Sequence, residues 1–396
     1  MYGAIFWFLF LLIITGVSCC IPASRKFYFS FCGNNTITAS PNNKKDVELA
    51  GIDVDADATS SDTSPATVPP KNPALLAACV AGILLTSYLL AALLTAVYIS
   101  AAIDLFPGDT YKSCGETNPS ATDGATKCNW EHYPLTPASR TEEITFKSAD
   151  GTTDLVGWWL NATSVAAAAG SSSFPSEPPA AALLYHHGSG INIAAEYREN
   201  RYDVYLKRGI SVFAYDYPEY GKSQGVASED SVNAAAKGAL AWLLQRTGAK
   251  GPEDLIQLGR SLGGAVAVRL ASDLGKEGKS FKGTIIQSAF SSYADATASF
   301  FPTTAWAAKS AVGPMFNSVS YVEKAKGCLF HYHGVDDEWV PVTQGEELHA
   351  AATGFTEACT PKMYTDAGVL HDAPMTDKLI AATMSWMTDD LKLSLW

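Results

Sequence analysis

The sequence predicts an α/β architecture: a mostly parallel sheet with helices on both faces, preceded by N-terminal transmembrane helices. Three observations carry this. From about residue 141, short apolar runs alternate with longer Ala/Leu-rich stretches. Those runs are apolar throughout, as expected of strands covered on both faces, and do not alternate with polar residues. Two charge-free stretches of membrane-spanning length come before them.

The first stretch, 1–24, contains "IFWFLFLLIITGV" and no charged side chain. It lacks the basic start of a signal peptide, yet "TGVSC" has the small residues of a cleavage site. Two readings stay open, a retained helix and a cleaved signal. Residues 25–71 are rich in Asn, Asp, Ser, Thr and Pro and read as a disordered polar loop. The second stretch, 72–103, has the core "ALLAACVAGILLTSYLLAALLTAVYI" and reads as a transmembrane helix. Residues 104–140 form a connector, and 141–396 the α/β domain. Arg25, Lys26, Lys44, Lys45 and Lys71 lie between the two apolar stretches, so a retained first helix keeps that loop cytosolic. The α/β domain is then lumenal or extracellular. A cleaved signal would place it in the cytosol.

The net charge is −12, and no Lys/Arg cluster offsets it, which argues against a nucleic-acid partner. Eight cysteines are present. Four follow the second apolar stretch, Cys114, Cys128, Cys328 and Cys359, an even number that suits disulfides in an exported domain. Asn161-Ala162-Thr163 is a glycosylation sequon with the same implication, while Asn34-Asn35-Thr36 points to the opposite sidedness. The segment 161–180 is low in complexity and reads as a surface insertion.

Taken in order, "EITFKSADGTTDLVGWWL" reads as a hairpin about a glycine turn. The runs "AALLYHHGSG", "ISVFAYDYPEYGKSQG", "DLIQLGRSLGG", "GTIIQSAF", "CLFHYHGVDDEWVP" and "KMYTDAGVLHDAP" follow as strands with their trailing loops. "SVNAAAKGALAWLLQR" is a helix between two of them. Chemistry in such sheets gathers at the carboxyl ends of the strands.

Gly259-Arg260-Ser261-Leu262-Gly263 fits G-x-S-x-G, a strand-to-helix turn so tight that the flanking positions must be small. Ser261 would stand at a helix N-terminus, whose dipole favours negative charge. A serine hydroxyl needs a base, normally a histidine oriented by a carboxylate. Downstream, "HGVDDEWVP" supplies Asp337, with Asp336 as its neighbouring rival, and "GVLHDAP" supplies His371. Each follows an expected strand. Oxyanion donors would be the backbone N–H of Leu262 and that of Ser189, after His187-Gly188. The side chains of His186 and His187 receive no catalytic role. "GKS" at Gly221 lacks the earlier glycine of a phosphate loop, "GSGINI" lacks a dinucleotide fingerprint's third glycine, and His331-x-His333 lacks a third metal ligand, so no metal is expected.

On His187-Gly188, "DYPEYGKSQG" from Asp216, "GRSLGG" from Gly259, "HGVDDEWVP" from His333, and His371, the region from about Thr141 to Trp396 resembles the α/β-hydrolase superfamily. It is most similar to membrane-anchored serine hydrolases grouped with serine aminopeptidases, monoacylglycerol lipases and protein depalmitoylases. The resemblance implies the α/β-hydrolase fold with a short cap at about 291–325, a Ser261–His371–Asp337 triad, and no cofactor. Its H-G-x-x-D-x-x-V-P pattern selects Asp337 over Asp336. Two features depart from the family. Glu219 replaces the first glycine of D-x-x-G-x-G-x-S, and Val369 and Leu370 separate Gly368 from His371. The expected partners are a membrane and a lipid or acylated substrate, cleaved at an ester or thioester. The alternatives are a catalytically silent binding protein of the same fold, or an aminopeptidase holding a substrate amine through Glu219.

Overall fold

The computed structural model describes residues 73–102, 141–162, 181–357 and 359–395. The expected first apolar segment, polar loop and connector, most of the 161–180 insertion, and Cys114 and Cys128 lie outside the described residues. Helix α1 (Pro73–Ala102) contains a stretch, Ala77–Ser100, long and apolar enough to cross a membrane. Leu84, Leu85, Leu93 and Val97 are exposed along it. The Thr86 hydroxyl folds back onto the carbonyls of Gly82 and Ile83, so the helix satisfies this polar group internally.

The α/β domain is built on an eight-stranded sheet of β1 (Thr141–Lys147), β2 (Asp154–Leu160), β3 (Ala181–His186), β4 (Ile210–Tyr215), β5 (Ile256–Arg260), β6 (Gly283–Gln287), β7 (Leu329–Gly334) and β8 (Lys362–Asp366). The spatial order is β1-β2-β4-β3-β5-β6-β7-β8. The expected hairpin is β1–β2, paired Thr141 to Leu160, and β2 also runs antiparallel to β4. All other pairs are parallel. Strands β3 to β7 are buried at every position, which is why their sequences show no polar alternation. The two edge strands are partly exposed, as edges facing water on one side must be.

Helices cover both faces. On one lie α3 (Glu229–Thr247) and α4 (Leu262–Lys276). Leu240, Leu243, Val266 and Leu270 from these helices join Phe213 and Tyr215 of β4 in one core cluster. Helix α3 starts at a reciprocal Ser228–Ser231 capping box and ends at Gly248 in the left-handed region, φ 69°. On the other face, α2 (Glu196–Leu206) and α9 (Asp377–Asp389) bring Tyr202, Tyr205, Trp386 and Met387 against Ile256, Leu258 and Phe330. Between β6 and β7, where the resemblance places a cap, run the short helices α5 (Tyr293–Ser299), α6 (Ala305–Val312) and α7 (Ser318–Val322). Helix α8 (Val342–Ala350) follows β7. A disulfide joins Cys328, next to β7, to Cys359 ahead of the neighbouring β8, with Cα atoms 5.3 Å apart.

Trp386 is among the largest fully buried side chains, its ring 5.5 Å from that of Phe330 and against Gly283, where any Cβ would collide with it. Truncating a buried tryptophan costs about 3–5 kcal/mol. Trp386→Ala in the detergent-solubilised full chain should therefore lower the thermal midpoint followed by circular dichroism by many degrees. An unchanged midpoint would remove α9 from the core.

Candidate active site

The geometry begins at one strained turn. Ser261 sits between β5 and α4 with φ 54° and ψ −121°, a region costly for any side-chain-bearing residue. Two backbone bonds hold it there: Ser261 N–H donates to the Gln287 carbonyl (2.8 Å), and Gly264 N–H donates to the Ser261 carbonyl (2.8 Å). A Cβ at Gly259 would run into the Gly263 backbone, one at Gly263 into the His186 carbonyl, and one at Gly264 into Ala289. The glycines are thus required by close approach of strand, helix and loop.

The structure brings the three separated side chains together. His371, in the loop after β8, has Nε2 3.1 Å from Ser261 Oγ. Its Nδ1 lies 2.8 and 3.0 Å from the two Asp337 oxygens. Because Nδ1 donates to a carboxylate, Nε2 is the free acceptor for the serine hydroxyl. Asp337 follows β7 and also accepts from the backbone N–H of Trp339 (3.0 Å) and Val340 (2.8 Å). Burial alone would raise its carboxyl. Hydrogen bonds from His333, His371 and Val340 outweigh that and hold it well below the ordinary carboxylate range. His333 Nε2 lies 3.4 Å from Asp337 and donates to the Val340 carbonyl at 2.8 Å.

Asp336, the rival acid, instead accepts from the Gly368 N–H (2.6 Å) and so steadies the loop that leads to His371. The two residues inserted ahead of His371 do not shorten its reach. Val369 is buried with its carbonyl against Gly334, Leu370 is turned outward, and the imidazole arrives beside the serine. His371 N–H donates to Glu338 (2.9 Å), and Trp339 lies nearly parallel to its ring at 6.1 Å.

Ser261 and His371 open onto a cavity of about 580 Å³. Leu262 and Ser189 line it beside the serine, and a Cβ at Gly188 would come within 3.4 Å of the Ser261 Cβ. The cavity lining includes the apolar or aromatic Phe290, Tyr293, Phe300 and Val340. It also includes the polar side chains of Ser189, Tyr197, Arg260 and Asp372. Glu219 is not among the lining residues. It holds the Ala227 N–H (3.0 Å) from a backbone position of φ 73°, the left-handed region that suits the family's glycine.

Several supporting residues carried no assigned role in the sequence. Arg260, inside the G-x-S-x-G motif, donates to the His371 carbonyl and pairs with Asp372 at 2.7 Å, so it pins the histidine loop from the serine side. His186 is fully buried between Tyr215 (2.7 Å) and Gln257 (3.2 Å), and burial pushes it down to about 3, so it stays neutral. His187 is also fully buried and, through burial and the nearby Arg198, titrates well below its usual range. It stacks on Tyr217 and donates to the Gly188 carbonyl at 2.7 Å. Asp216 is completely buried beneath the same loop, accepts from Ile193 N–H (2.9 Å) and faces His187 Nε2 at 3.4 Å. Burial pushes its carboxyl up to about 7, against the opposing pull of the Ile193 N–H and Arg198. Asp216 heads the quoted "DYPEYGKSQG" motif, but nothing local marks it as a residue that holds a distant loop.

No family model matches the chain. It is similar to uncharacterized protein Rv2307c of Mycobacterium tuberculosis, 30% identical over 168 residues that cover 42% of this chain and 54% of that protein. It is 28% identical over 177 residues to lysophosphatidylserine lipase ABHD12 of Danio rerio, covering 42% of this chain and 46% of that one. The chain thus spans about half the length of these two curated relatives. Among solved structures it is similar to the Pyrococcus furiosus esterase Pf2001, with a TM-score of 0.52 at 18% identity over 66% of this chain and 95% of the other.

The buried Asp216 makes a pH signature. Its folded carboxyl titrates at about 7 against 3.8 for the free side chain, so between those values the folded state binds the extra proton. Stability from this group is full below the lower value and is lost as pH rises toward the upper one. Asp216→Asn should remove that fall. Thermal midpoints of wild type and variant, measured from pH 4 to 8, should converge or cross as pH rises; parallel curves would contradict the assignment.

Proposed function

The chain has the α/β-hydrolase fold, and from that premise we propose that it is a membrane-anchored serine hydrolase acting on a carboxylic ester or thioester of lipid or acyl-protein type. One observation carries the reading: His371 bridges Ser261 Oγ and Asp337 in a single hydrogen-bonded line at the floor of a cavity.

In this reading Ser261 Oγ attacks the substrate carbonyl while His371 Nε2 takes its proton. Asp337, kept ionised by its surroundings, orients the ring and stabilises the imidazolium. The negative charge that forms on the carbonyl oxygen is met by the N–H groups of Leu262 and Ser189, each worth about 2.7–4 kcal/mol in comparable sites. His371 then protonates the leaving alcohol or thiol, and an acyl-enzyme remains. Water, activated by the same imidazole, releases the acid and restores Ser261. No step calls on a cofactor.

The apolar lining residues Phe290, Tyr293, Phe300 and Val340 support an acyl chain as the bound group, and the apolar helix α1 supports a substrate met at a membrane. The zebrafish relative, named a lysophosphatidylserine lipase, agrees in chemical class. The aminopeptidase alternative loses its candidate amine-binding acid, because Glu219 is engaged with Ala227 away from the cavity lining.

A fluorophosphonate probe applied to membranes containing the full chain should label wild type and leave Ser261→Ala unlabelled. Asp337→Asn should slow labelling and ester turnover by about 10³–10⁴-fold, since the wrong imidazole tautomer then faces the serine. A wild type that stays unlabelled would favour a silent binding protein of the same fold.

Sidedness has its own test. Asn161 follows β2 and is partly exposed. If the α/β domain is lumenal or extracellular, glycosidase treatment should shift the mobility of wild type and not of Asn161→Gln; no shift favours the cytosolic arrangement.

A further inference from the structure

The loop after β3 has every carbonyl from residue 187 to 192 taken by a side-chain donor. Tyr217 donates its hydroxyl to the His187 carbonyl (2.8 Å), and Tyr220 to that of Ser189 (3.2 Å). Arg198, on α2, reaches the remaining four, sharing that of Gly188 with His187 (2.7 Å) and that of Gly190 with the Tyr197 hydroxyl (3.2 Å). Its Nη2 donates to Gly188 (3.0 Å) and to Gly190, and its Nη1 to Ile191 (3.3 Å) and Asn192 (2.5 Å). The guanidinium is fully buried and does not line the cavity.

Across a trans peptide the carbonyl and the following N–H point in opposite directions. Drawing the carbonyls of 188, 189 and 190 into the interior therefore turns the N–H groups of Ser189, Gly190 and Ile191 the other way. These three residues line the cavity beside Ser261, and among the described residues their N–H groups have no hydrogen-bond partner. Ile191 also sits at φ 54°, an outlier for a β-branched residue, which persists only where surrounding bonds over-determine it. The bond on its own carbonyl is one of those that Arg198 makes.

We infer that Arg198 is the positioning residue of the oxyanion site: it clamps four carbonyls of the 188–192 loop inward and so presents successive backbone amides to the reacting carbonyl. This rests on the serine-hydrolase reading. The role needs a forked, permanently charged donor, because a lysine has one nitrogen and cannot reach carbonyls on both arms of the loop. Loss of the clamp weakens binding of the developing oxyanion and leaves ground-state binding in the cavity intact.

The test uses the full chain in detergent with a 4-nitrophenyl acyl ester, and compares wild type, Arg198→Lys and Arg198→Gln. Arg198→Lys keeps the buried charge and most of the volume, so it serves as the folded variant, checked by its thermal midpoint. The expected result is a fall in kcat of about 10²–10³-fold, as for loss of one oxyanion donor, with KM within about threefold of wild type. Fluorophosphonate labelling should slow in parallel while remaining confined to Ser261. A folded Arg198→Lys that keeps wild-type kcat, or one whose loss lies wholly in KM, overturns the inference and leaves the hydrolase reading standing. A wild type that neither labels nor turns over sinks the hydrolase reading, and this inference with it.

Discussion

The tight turn from β5 into α4 is the constraint on which the site depends. Its backbone is strained at Ser261, and strain of this kind survives only if the surroundings leave no alternative. Here the Ser261 N–H is fixed to β6 through Gln287, its carbonyl to Gly264, and the three glycines at 259, 263 and 264 let strand, helix and neighbouring loop close to van der Waals distance. The result is a hydroxyl raised above the sheet with a helix N-terminus directly behind it. The Leu262 N–H beside it is unpaired by the geometry of a first helical turn, so a donor for an anion comes with the turn itself.

The parallel sheet supplies the rest of the convergence. With β5, β6, β7 and β8 side by side and pointing the same way, loops after β5, β7 and β8 emerge along one rim. A residue just past β7 and another just past β8 are neighbours in space although far apart in the chain. Asp337 and His371 occupy those places, and their mutual hydrogen bond then fixes which ring nitrogen faces the serine. The disulfide between Cys328 and Cys359 ties the opposite ends of the same two strands, so the strand pair that leads to Asp337 and His371 is held at both ends.

What the sequence made legible follows from how local each constraint is. The small residues around Ser261 answer to sterics within five positions, so they surface as a motif. Asp337 and Asp336 are separable through the pattern Asp337 shares with Val340 and Pro341, and the structure gives the reason: the Val340 N–H binds the Asp337 carboxylate and the Val340 carbonyl takes His333. The strands were readable as continuous apolar runs because burial on both faces removes alternation. The supporting residues were not readable, because their contacts are made by irregular loops whose path no local periodicity or motif encodes. Arg198 sits in "EYRENRY", which looks like an ordinary charged helix start, and only the fold turns its guanidinium under a loop that precedes it. Glu219 looked like a free acid for the same reason; its partner, Ala227, is set by the turn that its own positive φ creates.

Three arginines show how this rim is held without regular structure. Arg198 grips the carbonyls of the loop after β3, Arg201 donates to the Ala373 carbonyl (2.8 Å), and Arg260 donates to that of His371. All three are buried. Burying a guanidinium is costly unless it finds acceptors, and each of the three donates to at least one loop carbonyl. The cations also repel one another: burial first, and then Arg260, pull Arg201 down to about 10. Asp372 pairs with Arg260 from the solvent side. The loops around Ser261 and His371 are therefore irregular in backbone yet fixed in place, because each planar fork fastens carbonyls that no strand or helix pairs. That is how a rim made of loops can hold Ser261 and His371 in the close, fixed geometry that the proposed proton transfer would need.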